Sequence, residues 1–134
     1  MSMENIDTLC IVDDDSIFQF ITQKVIEKTK LVREIKVFPN GLEAIEFLKT
    51  ARANPQELPD VILLDLAMPV LGGWDFLEEY IALKPHLGKQ IMIYIVSSSI
   101  DPADIQRARS ISEVTDFIIK PVTREKFVAL VEGL

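Results

Sequence analysis

Two spacings alternate along the chain. Short apolar runs occupy 9–12, 35–38, 61–64, 91–96 and 117–119. The stretches "VILLDL" and "IMIYIV" are apolar almost without interruption. They lack the in-and-out alternation of a half-exposed strand and so predict parallel strands covered on both faces. Between the runs, apolar residues recur at helical spacing: Phe18, Ile21 and Val25, then Ala44, Ile45, Leu48 and Ala51, then Leu77, Tyr80 and Ile81. A last stripe comprises Phe127, Leu130, Val131 and Leu134. The helix expected over 101–110 has the weakest stripe, Ile105 and Ala108, but a well-marked start, with Asp101 as candidate N-cap and Pro102 in the first helical position. "PNG" at 39–41 and "LGG" at 71–73 mark turns.

Strand and helix alternating five times is the (βα)₅ pattern of an α/β fold, a doubly wound parallel sheet expected in the order 2-1-3-4-5. Ligands in such sheets sit beyond the carboxyl ends of the strands, where the order reverses, which here is between the first and third strands. The 134 residues, of which 49% are hydrophobic, are enough for one domain spanning 1–134 around one core. No repeat or interdomain linker interrupts it.

Charge narrows the partners. Fourteen basic residues against twenty-one acidic ones give a formal charge of −7, and no Lys/Arg run appears. No nucleic-acid partner is therefore expected. No apolar run approaches membrane-spanning length and no signal peptide is evident, so a cytoplasmic protein without a membrane partner is expected. Cys10, the single cysteine, excludes an internal disulfide and reads as a small buried hydrophobe.

The first strand ends in an unusual way: "LCIVDDD" runs from apolar residues straight into Asp13, Asp14 and Asp15. The third strand ends in Asp65, the fourth in Ser97 and the fifth in Lys120. In the expected order all of these face one edge. Two carboxylates about 4 Å apart repel by roughly 4 kcal/mol at an effective dielectric near 20. Lys120 offsets part of that charge, and a hard divalent cation, Mg²⁺, suits the remainder. Lysine, hydroxyl and cation together form a clamp for a phosphoryl group, with Asp65 best placed as its covalent acceptor.

"IVDDDS", "LLDLAMPVLGG", "IVSSS" and "IIKP", in that order and at these intervals, resemble the receiver domain of two-component response regulators, a flavodoxin-like fold. "NGLEAIEFL" in the second helix fits the same family, and the resemblance extends from about residue 8 to 134. It implies that Asp65 is the phosphoacceptor, assisted by Ser97 and Lys120, with Ser97 and Phe117 as switch residues. It implies Mg²⁺ held by Asp13, Asp14, Asp65 and the main-chain carbonyl of Ala67. Asp15 lies outside that ligand set and reads as a helix cap or solvated charge. The resemblance also implies a cis Lys120–Pro121 bond. Its shorter Cα–Cα step, about 2.9 Å, suits the tight reversal needed before a helix starting near Thr123.

The implied role is a stand-alone receiver, monomeric or weakly dimeric, that acts on no separate substrate beyond its own phosphorylation and dephosphorylation. Its partners would be a sensor histidine kinase or a histidine phosphotransfer protein. A downstream protein would dock on the fourth helix, fifth strand and fifth helix. Several positions depart from the usual pattern. Ala67 offers no side chain to a water attacking near Asp65, Gly72 replaces a common acid beside the matching Gly73, and Phe117 replaces the commoner Tyr. Two alternatives keep part of the chemistry: a Mg²⁺-dependent phosphohydrolase with an aspartyl nucleophile, and an adaptor that is never phosphorylated. An FMN module is disfavoured because "DDDS" would repel a phosphate. His86, Trp74, Tyr80 and Met68 read as loop or packing residues.

Overall fold

The computed structural model describes residues 6–134. In chain order the elements are β1 (Ile6–Val12), α1 (Ser16–Thr29), β2 (Val32–Phe38), α2 (Gly41–Ala51), β3 (Val61–Leu64) and α3 (Gly73–Leu83). They continue with β4 (Met92–Ser97), α4 (Pro102–Ser110), β5 (Val114–Ile119) and α5 (Arg124–Glu132). The five strands are parallel, in the order β2-β1-β3-β4-β5. The expected flavodoxin-like fold, a doubly wound parallel sheet in the order 2-1-3-4-5, is the one observed.

The continuous apolar runs have a simple cause. Cys10, Val12, Ile62, Leu64, Ile93 and Ile95 point into a core shared with α2, α3 and α4. Their neighbours Leu9, Ile11, Val61, Leu63, Tyr94 and Val96 point into a second core with α1 and α5. A strand buried on both faces has no polar side to show.

Three expectations need correction. Ile21 is 52% exposed, and α1 instead buries Thr22 and Ile26, so its core stripe lies one residue further along than the apolar spacing indicates. Ile81 and Leu134 are likewise exposed, while Phe76 and Leu83 complete the buried face of α3. Strand β5 begins at Val114, three residues before its apolar run, because Thr115 and Asp116 are exposed on this edge strand. α4 has its Asp101 cap, accepting from Ala103 N–H at 2.9 Å. Trp74 is half-buried with its ring 4.2 Å from the Arg107 guanidinium of α4. Tyr80 is buried, Met68 half-buried and His86 exposed in a short turn. Cys10 is buried, and that burial pushes its thiol up to about 12, so it is inert as a nucleophile.

Candidate functional site

The carboxyl ends of β1, β3, β4 and β5 bring Asp13, Asp65, Ser97 and Lys120 to one edge of the sheet. The ladder fixes their levels. Asp65 N–H donates to Val12 O at 2.9 Å, and Lys120 N–H donates to Ser97 O at 2.8 Å. Asp13 and Asp65 are 1% and 6% exposed, whereas Asp14 is exposed. One carboxylate oxygen from each of these three residues lies within 4.8 Å of the other two.

Lys120 reaches across from β5. Its Nζ stands 2.9 Å from Asp13 Oδ2 and 3.5 Å from Asp65 Oδ1. The approach to Asp13 has ion-pair distance but not hydrogen-bond geometry. Asp13 Oδ2 is thus a buried carboxylate oxygen without a hydrogen-bond donor among the described residues. The Lys120 ammonium supplies it with one positive charge, which has to serve the Asp65 carboxylate as well. Three clustered carboxylates against one ammonium are a set of hard oxygen donors that suits a divalent cation.

The electrostatics agree. Burial, then the Asp13 charge, raises the Asp65 carboxyl to about 6, against the pull of Lys120 and of the Ala67 N–H. Burial alone would lower Lys120, but Asp13 and Asp65 outweigh it and hold the ammonium above its ordinary value. One ammonium therefore does not neutralise the cluster, and the Asp65 carboxylate remains destabilised as an anion.

The backbone around Asp65 leaves little room. A Cβ on Gly73 would stand 2.5 Å from Asp65 O and 2.8 Å from the Leu66 Cα, so the helix start is packed directly on the backbone of Asp65. Leu71 takes a left-handed φ of 54°, and its carbonyl receives the Gly41 N–H at 3.2 Å, tying this loop to the start of α2. The Lys120–Pro121 bond is cis. On either side of it, Lys126 Nζ donates to Ile119 O at 2.7 Å and to Pro121 O at 3.1 Å.

The remaining expected residues are placed as follows. Ser97 is buried, and its Oγ accepts from Ser99 N–H at 3.1 Å. Phe117 is half-buried against the α2–α3–α4 core and stands opposite Ile95 in the sheet. Ala67 is exposed in the loop after β3. Asp15 caps α1, its Oδ1 accepting from Ile17 N–H at 2.9 Å and Phe18 N–H at 3.2 Å. The apolar pattern gave no hint of two contacts. Gln19 Nε2 donates to Asp13 O, and the Phe18 ring lies against Lys120 with its centroid 4.1 Å from Nζ.

Residues 9–132 match the family model described as the response regulator receiver domain. Among solved structures, a two-component response regulator from Cytophaga hutchinsonii is 29% identical, with a TM-score of 0.85 over 96% of both chains. A response regulator receiver protein from Dyadobacter fermentans is also 29% identical, with a TM-score of 0.81 over 94% of this chain and 95% of that one. A protein-glutamate methylesterase/protein-glutamine glutaminase from Burkholderia thailandensis is 30% identical over 83% of this chain, which spans only 28% of that protein's length.

Proposed function

This chain belongs to the family of response regulator receiver domains, and we propose that it is a phosphoacceptor of a two-component phosphorelay. Asp65 takes a phosphoryl group from a phosphohistidine on a sensor histidine kinase or a histidine phosphotransfer protein. A carboxylate oxygen bonds to phosphorus as the P–N bond breaks, and the imidazole nitrogen retains the electron pair and takes up a proton. The observation that carries this reading is Asp65 itself: a buried carboxylate held 3.5 Å from an ammonium and clustered with two further carboxylates.

Mg²⁺ suits that donor set. Asp13, Asp14, Asp65 and the Ala67 carbonyl would hold it, and its charge would offset that of the carboxylates and the phosphoryl oxygens. Lys120 would bind a phosphoryl oxygen, and the Ser97 hydroxyl would donate to another. The loop after β4 follows Ser97, and Phe117 turns inward with it. This alters the face made by α4, β5 and α5, where a downstream protein docks or the phosphoryl group passes on. The domain acts on no separate substrate and works in the cytoplasm as a monomer or weak dimer. No helix of the described residues is long and apolar enough to cross a membrane.

Acetyl phosphate with Mg²⁺ should label the chain, and Asp65→Asn should abolish the label, because an amide cannot form the acyl phosphate. Equal labelling of that variant overturns the reading.

A further inference from the structure

Lys120 carries its charge on a chain with four rotatable bonds, yet it must meet a phosphoryl group at one place. Asp13 pulls it to one side at 2.9 Å and Asp65, less closely, to another at 3.5 Å. These carboxylates by themselves leave the flexible chain free to turn its ammonium outward to water. The Phe18 ring closes a third side, its centroid 4.1 Å from Nζ, and the lysine side chain is only 18% exposed.

The position of that ring follows from the sequence around it. Asp15 caps α1 through the N–H groups of Ile17 and Phe18, fixing the first turn on which Phe18 sits. Phe18 is half-buried against the α1–α5 core. On the lysine's own side, Lys126 grips the carbonyls of Ile119 and Pro121, the residues before and after Lys120. Both partners are held by their backbones, and their contact joins the first helix to the end of the last strand.

We propose that Phe18 is a positioning residue for Lys120, its ring face holding the ammonium beside Asp13 and Asp65 for phosphoryl transfer. Chemistry favours a ring here over a further acid. The face of a benzene ring attracts a cation through its quadrupole while carrying no net charge. A further carboxylate would hold the lysine as well but would repel the incoming phosphoryl anion. It would also add to a cluster that already raises Asp65. The ring restrains the lysine without either effect.

This inference rests on the phosphoacceptor reading only for its rate measurement, since the contact exists in the unphosphorylated chain. The test replaces Phe18 by phenylalanines bearing one, two and three ring fluorines, which drain the quadrupole with little change in shape, and adds Phe18→Tyr and Phe18→Leu. In the metal-free, unphosphorylated protein, NMR of the Lys120 ε-protons reads the contact as an upfield ring shift. Labelling by acetyl phosphate with Mg²⁺ reads its consequence. The ring shift should shrink with each fluorine, and the labelling rate should fall in step by about three- to tenfold across the series. Phe18→Tyr should retain both, and Phe18→Leu should lose both while the backbone amide spectrum stays native. A ring shift or a labelling rate that stays constant across the fluorine series makes Phe18 a packing residue and overturns the proposal. Failure of the unsubstituted chain to label overturns the phosphoacceptor reading instead, and the ring shifts alone then decide whether Phe18 holds Lys120.

Discussion

Strand β3 has an aspartate at each end, and the two live in opposite circumstances. Asp60, just before Val61, accepts from the N–H groups of Asp7 at 2.8 Å and Thr8 at 3.2 Å, and pairs with Lys89 Nζ at 2.6 Å. Burial pushes its carboxyl up, but the Lys89 hydrogen bond and the two N–H donors outweigh it and leave it below the ordinary range. Asp65, just after Leu64, meets a second buried carboxylate and one shared ammonium, and is raised to about 6. The same residue type on the same strand is satisfied at one end and frustrated at the other. Asp60 knits β1 and β3 into the sheet, whereas Asp65 is left with charge that its neighbours only partly offset. An unsatisfied group that persists beside well-satisfied ones is where function is to be sought.

The contrast is sharpest for the metal. Asp14→Ala removes one of three clustered carboxylates and should weaken Mg²⁺ binding, measured by calorimetry, by about a hundredfold, or roughly 2.7 kcal/mol. Asp60→Ala should leave that affinity unchanged. An Asp14→Ala protein with native affinity would reduce Asp14 to a solvated strand-end charge.

Asp60→Ala should act on stability instead. It removes the charged acceptor of the Asp7 and Thr8 N–H groups and the ion pair with Lys89, which keeps its hydrogen bond to Leu58 O at 3.1 Å, at a cost of about 1–3 kcal/mol in urea unfolding. As Asp60 lies below the ordinary carboxylate range, its contribution is present above the unfolded-state value and lost as pH falls through the folded one. The gap between this variant and the parent should therefore narrow in acid. A variant as stable as the parent at neutral pH would make the Asp60 contacts energetically idle.

These two ends were not equally legible in the sequence. The site end was, because a run of apolar residues passing into Asp13, Asp65 or Lys120 declares both a buried strand and the edge at which it stops. The strand order then brings those residues together. Asp60 was not, since its partners Thr8 and Lys89 lie on other elements and no local pattern links them. Phe18 packs on the core as its spacing indicates, but the phase of α1 around it is shifted. Its apolar character fits a core stripe with Ile21 and Val25, but Ile17, Phe20 and Ile21 are all exposed on α1. A helix that is apolar beyond its buried face gives no reliable phase. Thr22, which the stripe omits, is buried in their place. Even the correct phase would not have paired Phe18 with Lys120, because that contact exists only once α1 and the end of β5 meet. The cap role of Asp15 was visible from its position before an amphipathic run.

The smallest expected effect is also the one whose sign separates the two aspartates. In chelator-treated protein, Asp65→Asn should raise stability at pH 8 by about 1–2 kcal/mol, opposite in direction to Asp60→Ala. Asp65 titrates at about 6 in the folded chain, against about 4 when unfolded. Below pH 4 the carboxyl is protonated in both states and costs nothing. Between pH 4 and pH 6 the unfolded chain releases its proton while the folded chain retains it, so stability falls as pH rises. Above pH 6 the full cost is in place and the curve levels. Two units at 1.36 kcal/mol each would give nearly 3 kcal/mol, and hydration of the partly open cluster brings the expected value down to about 1–2 kcal/mol. An amide has no such titration, so the variant's advantage should appear between pH 4 and pH 6 and vanish below. Mg²⁺ should then stabilise the parent more than the variant, because the variant has lost one of the three carboxylates. Urea unfolding at pH 4, 6 and 8, with and without Mg²⁺, measures each step. An advantage that is as large at pH 4 as at pH 8 would assign the effect to packing rather than to charge.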